Sequence, residues 1–407
     1  MWLGNVALGG PDDISDTASF DNLFVYEPTT SRVLFTQRSP SQVPAADWKF
    51  LYVNSGGCYG IQKSIGPSIA DLSHPPADNQ PPLTQNAELA RRAAGEATVL
   101  LKNEGGTLPL APTIDTVALF GVGAYSTVSG GTGSGDVNEA YTIHVADGLT
   151  EHGWTIDEAL AGEYRSFIED FEANKPKPTN LLEQFLLHVR PGELTFDADA
   201  VSAAVEANDA AIITISRNLG EFTDRKVEND FDLTAEERAL LTAVSQSFRA
   251  AGKPVVVVLN IGNVIETASW QGLADAIILP WQGGQEAGRA VADVLSGDVN
   301  PSGKLPMTFP VSYSDTPSAP YFPGTEDRNK PIEIMGGLMT QFESEVVYEE
   351  GIYVGYRYFA SAGKTVAYPF GYGLSYTDFT FSDLAIDSRA DDGPIAVSET
   401  IDRRLEA

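Results

Sequence analysis

Pro254-Val255-Val256-Val257-Val258-Leu259 is a continuous apolar run with no polar side chain at alternate positions. Such a run predicts a strand that is covered on both faces, as strands are in a parallel sheet. Between this run and others like it lie segments with helical periodicity, at residues 235–251 and 285–295. Alternating strands and helices predict right-handed crossovers and an α/β fold, a doubly wound α/β sandwich. The other apolar runs are residues 116–120, 210–215 and 276–279.

The character of the sequence changes twice, which predicts three domains. Residues 1–85 are irregular and end in a proline-rich linker at 74–82. Residues 86–310 hold the strands and helices of the sandwich. Residues 311–407 are rich in tyrosine, phenylalanine, glycine and proline. They predict a partial C-terminal β-sandwich, because they supply fewer strands than a complete one needs.

Local patterns predict further elements outside the four main strands. Residues 23–26 and 32–35 are short β-like pieces within the irregular N-terminal segment. Apolar residues at helical spacing over 89–101 predict the helix that opens the sandwich domain. Candidate strands in the last domain are residues 353–359 and 379–381, and no helix is expected there.

The balance of charge restricts the partners of this 407-residue chain. It carries 26 Lys and Arg against 56 Asp and Glu, a formal net charge of −30. Such an acidic chain is not expected to bind nucleic acid or an anionic membrane, whereas neutral or cationic ligands are compatible with it. Its single cysteine, Cys58, excludes an internal disulfide framework, and the 4 histidines show no metal-ligand spacing. No metal or other cofactor is predicted.

The N-terminus shows no targeting signal. The sequence has no apolar run of the ~20 residues that span a bilayer, and the segment that follows Met1 lacks a basic region and a long apolar region. If Met1 is the natural start, the expected location is the cytoplasm. A homo-oligomer is compatible with the sequence.

A glycine-rich segment at residues 121–138 follows the first strand of the sandwich. Ser126 breaks the Gly-x-Gly-x-x-Gly pattern of a dinucleotide site, and Asp136 stands where a Walker loop requires lysine. These mismatches argue against nucleotide binding. Two interpretations stay open, a flexible surface loop and a polar loop whose backbone approaches a hydroxyl-rich ligand.

The loop after the second sandwich strand contains a candidate acid. Gly220 permits a sharp turn, which would project Glu221 from the carboxyl end of the strand. Beside Phe222, the Glu221 carboxyl could hold its proton near neutral pH. From spacing alone, an ordinary solvated glutamate is the better interpretation. Asp224 and Arg225 are most simply explained as a structural ion pair.

Both loops follow predicted strands, so we expect them at the same edge of the sheet, where ligands bind in such folds. Aromatic side chains near this edge could stack on a sugar ring. Trp281 could equally pack in the core. The aromatic candidates are Tyr125, Tyr141, Phe222 and Trp281.

Short motifs follow one another in a fixed order along about residues 86–385. They are Ala-Ala-Gly-Glu-Ala-Thr-Val-Leu-Leu-Lys-Asn-Glu at 93–104, Gly-Gly-Thr-Gly-Ser-Gly-Asp-Val-Asn at 130–138, Gly-Glu-x-x-Asp-Arg at 220–225, Val-Val-Leu-Asn-Ile-Gly at 257–262, Trp-Gln-Gly-Gly-Gln-Glu at 281–286, Asn-Pro-Ser-Gly-Lys-Leu-Pro at 300–306, Val-Tyr-Glu-Glu at 347–350, Gly-Tyr-Arg-Tyr at 355–358 and Pro-Phe-Gly-Tyr-Gly-Leu-Ser-Tyr at 369–376. A sequence with these motifs closely resembles the family 3 glycoside hydrolases, the β-glucosidases.

The resemblance implies an α/β sandwich followed by the start of a fibronectin type III-like domain. It also implies hydrolysis of terminal non-reducing β-D-glucosyl residues with retention, on a β-glucoside or oligosaccharide, with Glu221 as the catalytic acid/base. Leu219 and Phe222 depart from the family, which often has Ser and Gly at these positions, so the reach of Glu221 could differ. The residues expected to bind substrate are Gly133, Ser134, Asp136, Phe222, Asp224 and Arg225.

The nucleophile is the missing part of this site. In the family it is an Asp of a Ser/Thr-Asp-Trp motif on a (β/α)₈ barrel, which needs ~200 residues or more, whereas about 85 precede the sandwich. Asp47-Trp48 is the only Asp-Trp pair, and no apolar strand precedes it. We interpret this pair as a coincidence. The barrel is therefore expected in missing sequence or in a partner chain, and residues 1–85 faintly resemble the end of a jelly-roll module.

Two functions remain open from the sequence. In the first, the chain supplies the acid/base domain of a retaining β-glucosidase and is inactive without the barrel. In the second, it is a non-catalytic carbohydrate-binding or interaction module that kept the loops without the nucleophile. The sequence does not distinguish a glucoside from a xyloside or another glycoside as substrate.

Overall fold

The computed structural model describes ten ranges of the chain. The protein divides into two compact units, Met1–Pro82 and Leu83–Ala407. No helix within the described ranges is long and apolar enough to cross a membrane. The ranges are 23–27, 32–36, 49–54, 57–62, 83–137, 139–179, 189–221, 224–334, 339–387 and 396–405.

The described part of the first unit consists of two antiparallel strand pairs. Strand β1 (Leu23–Glu27) pairs with β2 (Arg32–Thr36), and β3 (Lys49–Asn54) pairs with β4 (Gly57–Gln62). The two β-like pieces predicted from the sequence are therefore strands β1 and β2. Asp47 lies outside the described residues.

The second unit contains the remaining described strands and the described helices. Its strands are β5 (Val99–Asn103), β6 (Thr116–Phe120), β7 (Thr155–Ile156), β8 (Ala210–Arg217), β9 (Val255–Ile261), β10 (Ala276–Leu279), β11 (Phe309–Pro310), β12 (Thr325–Ile334), β13 (Met339–Glu345), β14 (Val366–Tyr368), β15 (Thr377–Asp387) and β16 (Ala396–Leu405). Its described α-helices are α1 (Leu83–Ala97), α2 (Val122–Tyr125), α3 (Val145–His152), α4 (Glu158–Asn174), α5 (Ala198–Ala207), α6 (Ala235–Ala250), α7 (Ala287–Ser296) and α8 (Tyr356–Ser361).

The central sheet has the strand order β5-β10-β9-β8-β6-β7. All neighbours in it are parallel except β5, which runs antiparallel to β10. From β6 the chain goes outward to β7 and then returns to place β8 on the other side of β6. Because crossovers are right-handed, this reversal puts helices on both faces. The predicted doubly wound α/β sandwich is confirmed, and the gap between β6 and β8 is its switch point.

Apolar side chains join the sheet to its two helical layers. Every residue of β9 is buried, as its uninterrupted apolar run predicts. On one side, the Phe120 ring contacts those of Phe196 and Phe248, with centroids 5.7 and 6.5 Å away. Helices α3 and α7 cross at Gly148 and Gly288, where an added Cβ on either glycine would lie 2.1 or 2.0 Å from a backbone oxygen of the other segment.

Four sequence predictions about elements were wrong. The helix predicted over 89–101 ends at Ala97, because the buried residues that follow extend and pair with β10 as an antiparallel edge strand. The sheet is thus not wholly parallel. The strand predicted over 353–359 is a turn followed by α8, since Gly355 has φ +54 and turns the chain out of the extended conformation. The expectation of no helix in residues 311–407 is therefore also wrong.

The C-terminal part of the second unit is built from antiparallel pairs. Strand β11 pairs with β14, β12 with β13, and β15 with β16. The predicted strand at 379–381 lies within β15. None of the sheets formed by the described residues closes into a barrel. The domain boundaries at residues 85 and 310 stay predictions.

Candidate active site

Two loops meet at the switch point of the sheet. The glycine loop, residues 121–137, follows β6, and the glutamate loop begins at Asn218 after β8. Thr132 and Gly220 form a parallel bridge, and the Thr132 N–H donates to the Leu219 carbonyl oxygen at 3.0 Å. The prediction that both loops lie at one edge is confirmed. Ligands in doubly wound sheets bind outside this edge.

Glycines allow the two loops to touch beside Glu221. Gly133 has φ +70, and a Cβ added to it would lie 2.7 Å from both Cβ and Oε2 of Glu221. A Cβ added to Gly220 would lie 1.6 Å from Thr132 Oγ1. Glu221 is exposed at this edge. The Glu221 carboxyl group thus lies against Gly133, where the two loops pack closely. In this position it can donate a proton to a bound ligand and accept one back.

Asn260, at the end of β9, holds two loops of this edge together. Its Oδ1 accepts from the Val128 N–H at 2.7 Å, and its Nδ2 donates to the carbonyl oxygens of Val128 and Trp281 at 2.9 and 2.8 Å. The side chain is 2% exposed. Sequence reasoning included Asn260 in a motif without a role, because only the fold shows that both loops return to it.

We expect Asn260→Asp to destabilise the chain by about 3 kcal/mol or more, because it places an unpaired charge in the interior against two carbonyl oxygens. Urea unfolding of the two proteins measures this difference. Asn263→Asp is the matched control, since Asn263 Oδ1 only accepts from the Val264 N–H and a carboxylate can do the same. Equal unfolding free energies for the two variants would contradict the role assigned to Asn260.

Arg225 has a different partner from the one predicted. Its guanidinium binds Asp230 at 2.6 Å and donates to the Val264 carbonyl oxygen at 2.6 Å. The predicted Asp224–Arg225 ion pair is therefore wrong, because the helical turn Val227–Phe231 folds Asp230 back onto the arginine. Asp224 is exposed. The Arg225 guanidinium is thus engaged in holding the glutamate loop.

The other predicted substrate-binding residues have different positions. Gly133 lies against Glu221, as described above, and Asp136 is exposed on the glycine loop. Phe222 lies outside the described residues, and so does the side chain of Ser134. The structure therefore places Gly133 beside the candidate acid, whereas the Arg225 guanidinium binds Asp230 and the Val264 carbonyl oxygen.

The aromatic candidates also differ from one another. Tyr125 is 8% exposed, stacks on Tyr164 with ring centroids 5.0 Å apart, and donates to the Leu119 carbonyl oxygen. It cannot stack on a sugar, so that prediction was wrong. Trp281 is half-buried and packs against the core. Tyr141 is exposed, and its hydroxyl donates to Glu286 at 2.5 Å.

Glu193 is a half-buried acid that the sequence did not mark. Its Oε2 accepts from the Val122 N–H at 3.1 Å, and its Oε1 accepts from the Tyr164 hydroxyl at 3.1 Å and the Leu194 N–H at 2.9 Å. Burial raises the pKa of Glu193 to about 7, although these hydrogen bonds act in the opposite direction. No motif or spacing in the sequence identifies it, because its burial arises from distant segments.

Glu193 should make stability depend on pH. Its pKa of about 7 in the folded chain exceeds the ordinary 4.5 of glutamate, so the folded state binds more protons between these values. Glu193 therefore adds on the order of 3 kcal/mol to the free energy of unfolding below about pH 4.5, and this contribution is lost as the pH rises through about 7.

Urea unfolding from pH 4.5 to 8 tests this prediction. The unfolding free energy of the wild-type chain minus that of Glu193→Gln should fall by up to about 3 kcal/mol over this range, because glutamine does not titrate. Glu163→Gln removes the same charge from an exposed position, and its curve should parallel that of the wild type. A constant difference between wild type and Glu193→Gln would contradict the prediction.

One cluster of described residues has the composition of a metal site. Ligand atoms of His152, Asp293 and Asp298 lie within 4.8 Å of one another. Both oxygens of Asp293 bind the Arg91 guanidinium, at 2.5 and 2.6 Å. A cation would have to displace this arginine, so the donor set fits a structural ion pair better than a metal.

Comparison with known proteins decides the family. Residues 98–356 match the model of the glycosyl hydrolase family 3 C-terminal domain. The chain belongs to glycosyl hydrolase family 3. The resemblance stated from the sequence motifs is confirmed.

Relatives of this family 3 chain are longer than it is. Beta-glucosidase A of Butyrivibrio fibrisolvens is 36% identical over 331 residues, which cover 74% of this chain and 36% of that protein. An exo-alpha-(1->6)-L-arabinopyranosidase of Bifidobacterium longum is 32% identical over 309 residues, or 74% of this chain and 35% of that protein.

Among solved structures, β-glucosidase 3B from Thermotoga neapolitana in complex with glucose is 42% identical, with a TM-score of 0.70. The match covers 80% of this family 3 chain and 42% of that one. The chain thus matches less than half the length of each of these three relatives.

Proposed function

We propose that this chain supplies the acid/base domain of a retaining β-glucosidase that hydrolyses terminal non-reducing β-D-glucosyl residues. The observation that carries the proposal is the exposed Glu221 carboxyl at the switch point, seated against Gly133 and the Thr132–Gly220 bridge. The relatives named β-glucosidase support the same chemistry.

In the proposed reaction Glu221 acts twice. It first donates its proton to the glycosidic oxygen as the bond to the leaving group breaks, while a nucleophilic carboxylate attacks the anomeric carbon. It then takes a proton from water as the water releases the sugar from the covalent intermediate, which gives net retention.

The sequence motifs identify no nucleophile among the described residues. We propose an Asp on a (β/α)₈ barrel, in further sequence of the same protein or in a partner chain. Such a carboxylate would stand about 5–5.5 Å from the Glu221 carboxyl in the assembled site.

Glucose is the proposed glycone because two of the relatives compared are β-glucosidases, one of them in complex with glucose. Because one relative is an arabinopyranosidase, α-L-arabinopyranose is the alternative glycone. The ratio of kcat/KM for nitrophenyl β-D-glucoside to that for nitrophenyl α-L-arabinopyranoside measures the preference. A ratio above one supports the glucoside, and a ratio below one contradicts it.

Expression of two proteins tests the proposal as a whole. One is the 407-residue chain, and the other is the complete product of its gene, as established by sequencing the locus. We expect negligible turnover of nitrophenyl β-D-glucoside by the chain alone, and turnover with β-glucose as first product by the complete protein.

Two results would contradict this account. Robust turnover by the chain alone that is lost on Asp47→Ala would show that the nucleophile is Asp47. A complete product that has no barrel and no partner barrel, and that binds sugars without hydrolysing them, would make the chain a non-catalytic module.

A further inference from the structure

The glycine loop begins at a partly buried group of hydrogen bonds, which is called the anchor here. Gly121 has φ +97, and its N–H donates to the Tyr164 hydroxyl oxygen at 2.8 Å. The next N–H, of Val122, donates to Glu193 Oε2 at 3.1 Å. The Tyr164 hydroxyl in turn donates to Glu193 Oε1 at 3.1 Å. Two side chains thus fix consecutive peptide groups at the point where the loop leaves β6.

This anchor combines a fully buried tyrosine with a half-buried carboxyl group, and it joins separate segments. Tyr164, on α4, is fully buried, and its ring stacks on Tyr125 of α2 at 5.0 Å. Glu193 also accepts from the Leu194 N–H at 2.9 Å. Its carboxylate therefore accepts hydrogen bonds from three donors, so a neutral amide at this place leaves at least one donor opposed by an NH₂ group.

Close contacts transmit the position of the anchor along the loop. A Cβ added to Gly123 would lie 1.8 Å from Ser216 Oγ of β8. The Thr127 hydroxyl donates to the Gly123 carbonyl oxygen at 3.0 Å, and Asn260 holds the next residue. The loop then reaches Thr132 and Gly133, which contact the glutamate loop. A packed strip of this kind has little room to absorb a shift at its start.

We propose that Glu193, acting through Tyr164 and the peptide groups of Gly121 and Val122, is a positioning residue for Glu221. Glu193 fixes the position of the first residues of the glycine loop. The loop in turn fixes the position of the Glu221 carboxyl against Gly133. The catalytic part of this proposal rests on the proposed function, whereas the anchoring part concerns the chain itself.

Amide hydrogen exchange of the 407-residue chain tests the anchoring part. In Glu193→Gln, and in Tyr164→Phe as a second variant that keeps the ring, we expect at least ~10-fold faster exchange in peptides from residues 121–137. Peptides from β9 should lose less protection than those from the glycine loop, because core strands exchange only when the whole fold opens. Glu163→Gln, an exposed neighbour on α4 that loses the same charge, should match the wild type throughout.

Loop exchange at the wild-type rate in both variants would overturn the anchor. Loss of protection in β9 to the same degree as in the glycine loop would also overturn it, because the variants would then act on global stability rather than on the loop.

Kinetics of the complete enzyme test the catalytic part. Displacement of a catalytic group by about 1 Å can cost ~10²-fold, so Glu193→Gln should lower kcat/KM for an alkyl β-glucoside by ~10–100-fold. A dinitrophenyl β-glucoside, whose leaving group needs no proton, should lose less than about threefold. Equal losses on both substrates would show a general structural role and overturn the proposal.

The two experiments separate the two claims. A complete wild-type enzyme without glycosidase activity would refute the proposed function together with the catalytic role of Glu193. The exchange experiment would still decide whether Glu193 anchors the glycine loop.

Discussion

Glu221→Ala in the complete enzyme is expected to lower kcat/KM for an alkyl β-glucoside by ~10²–10⁴-fold, the usual contribution of general acid catalysis. An alkoxide is too basic to leave without a proton, so loss of the acid slows the first step. A dinitrophenolate leaves without protonation, and its kcat/KM should change little. Steady-state kinetics on the two substrates measure both values.

Glu228→Ala is the matched comparison for this experiment. Glu228 is also an exposed glutamate and lies seven positions further along the chain. We expect it to keep near-wild-type kinetics on both substrates. If Glu221→Ala loses both substrates equally, or if Glu228→Ala shows the leaving-group dependence instead, Glu221 is not the acid.

Gly133→Ala is expected to cost the complete enzyme on the order of 10²-fold in kcat/KM for an alkyl β-glucoside. Gly133 has φ +70, which is strained for alanine, and the new Cβ would lie 2.7 Å from Glu221 Cβ and Oε2. The carboxyl has to move, and misplacement by about 1 Å has an effect of this size.

Gly135→Ala separates this effect from any change in the loop. A Cβ at Gly135 meets no heavy atom within 4 Å, and its φ is not in the left-handed region. We expect less than about a threefold change in kcat/KM. Losses of the same size in both variants would indicate general damage to the loop, and the contact between Gly133 and Glu221 would not be its cause.

The central sheet was predictable because burial on both faces leaves a plain signature. Segments such as Val255–Ile261 and Ala276–Leu279 show no alternation of apolar and polar residues, and they form inner strands of the sheet. The edge strand Val99–Asn103 was not predictable in the same way. Its leucines continue the apolar spacing of the preceding helix, so the sequence alone favours more helix. The segment is a strand because it pairs with β10.

The site was predictable in part. Gly220 and Glu221 stand directly after a predicted strand, which places them at the ligand-binding edge, yet spacing alone favoured a solvated surface glutamate. The motif match supplied the role of Glu221. The partner of Arg225 was not predictable because a helical turn brings Asp230 back to it. Glu193 was missed because its burial depends on segments distant in sequence.

Product analysis after azide rescue tests the central claim most directly. With Glu221→Ala and dinitrophenyl β-D-glucoside, the covalent intermediate should form as a burst and then accumulate, since no base activates water. Azide needs no base, so it should restore turnover and give the glucosyl azide with retained β-configuration. The absence of a burst and of any glucosyl azide, in a variant that folds as the wild type does, would contradict the assignment of Glu221 as acid/base.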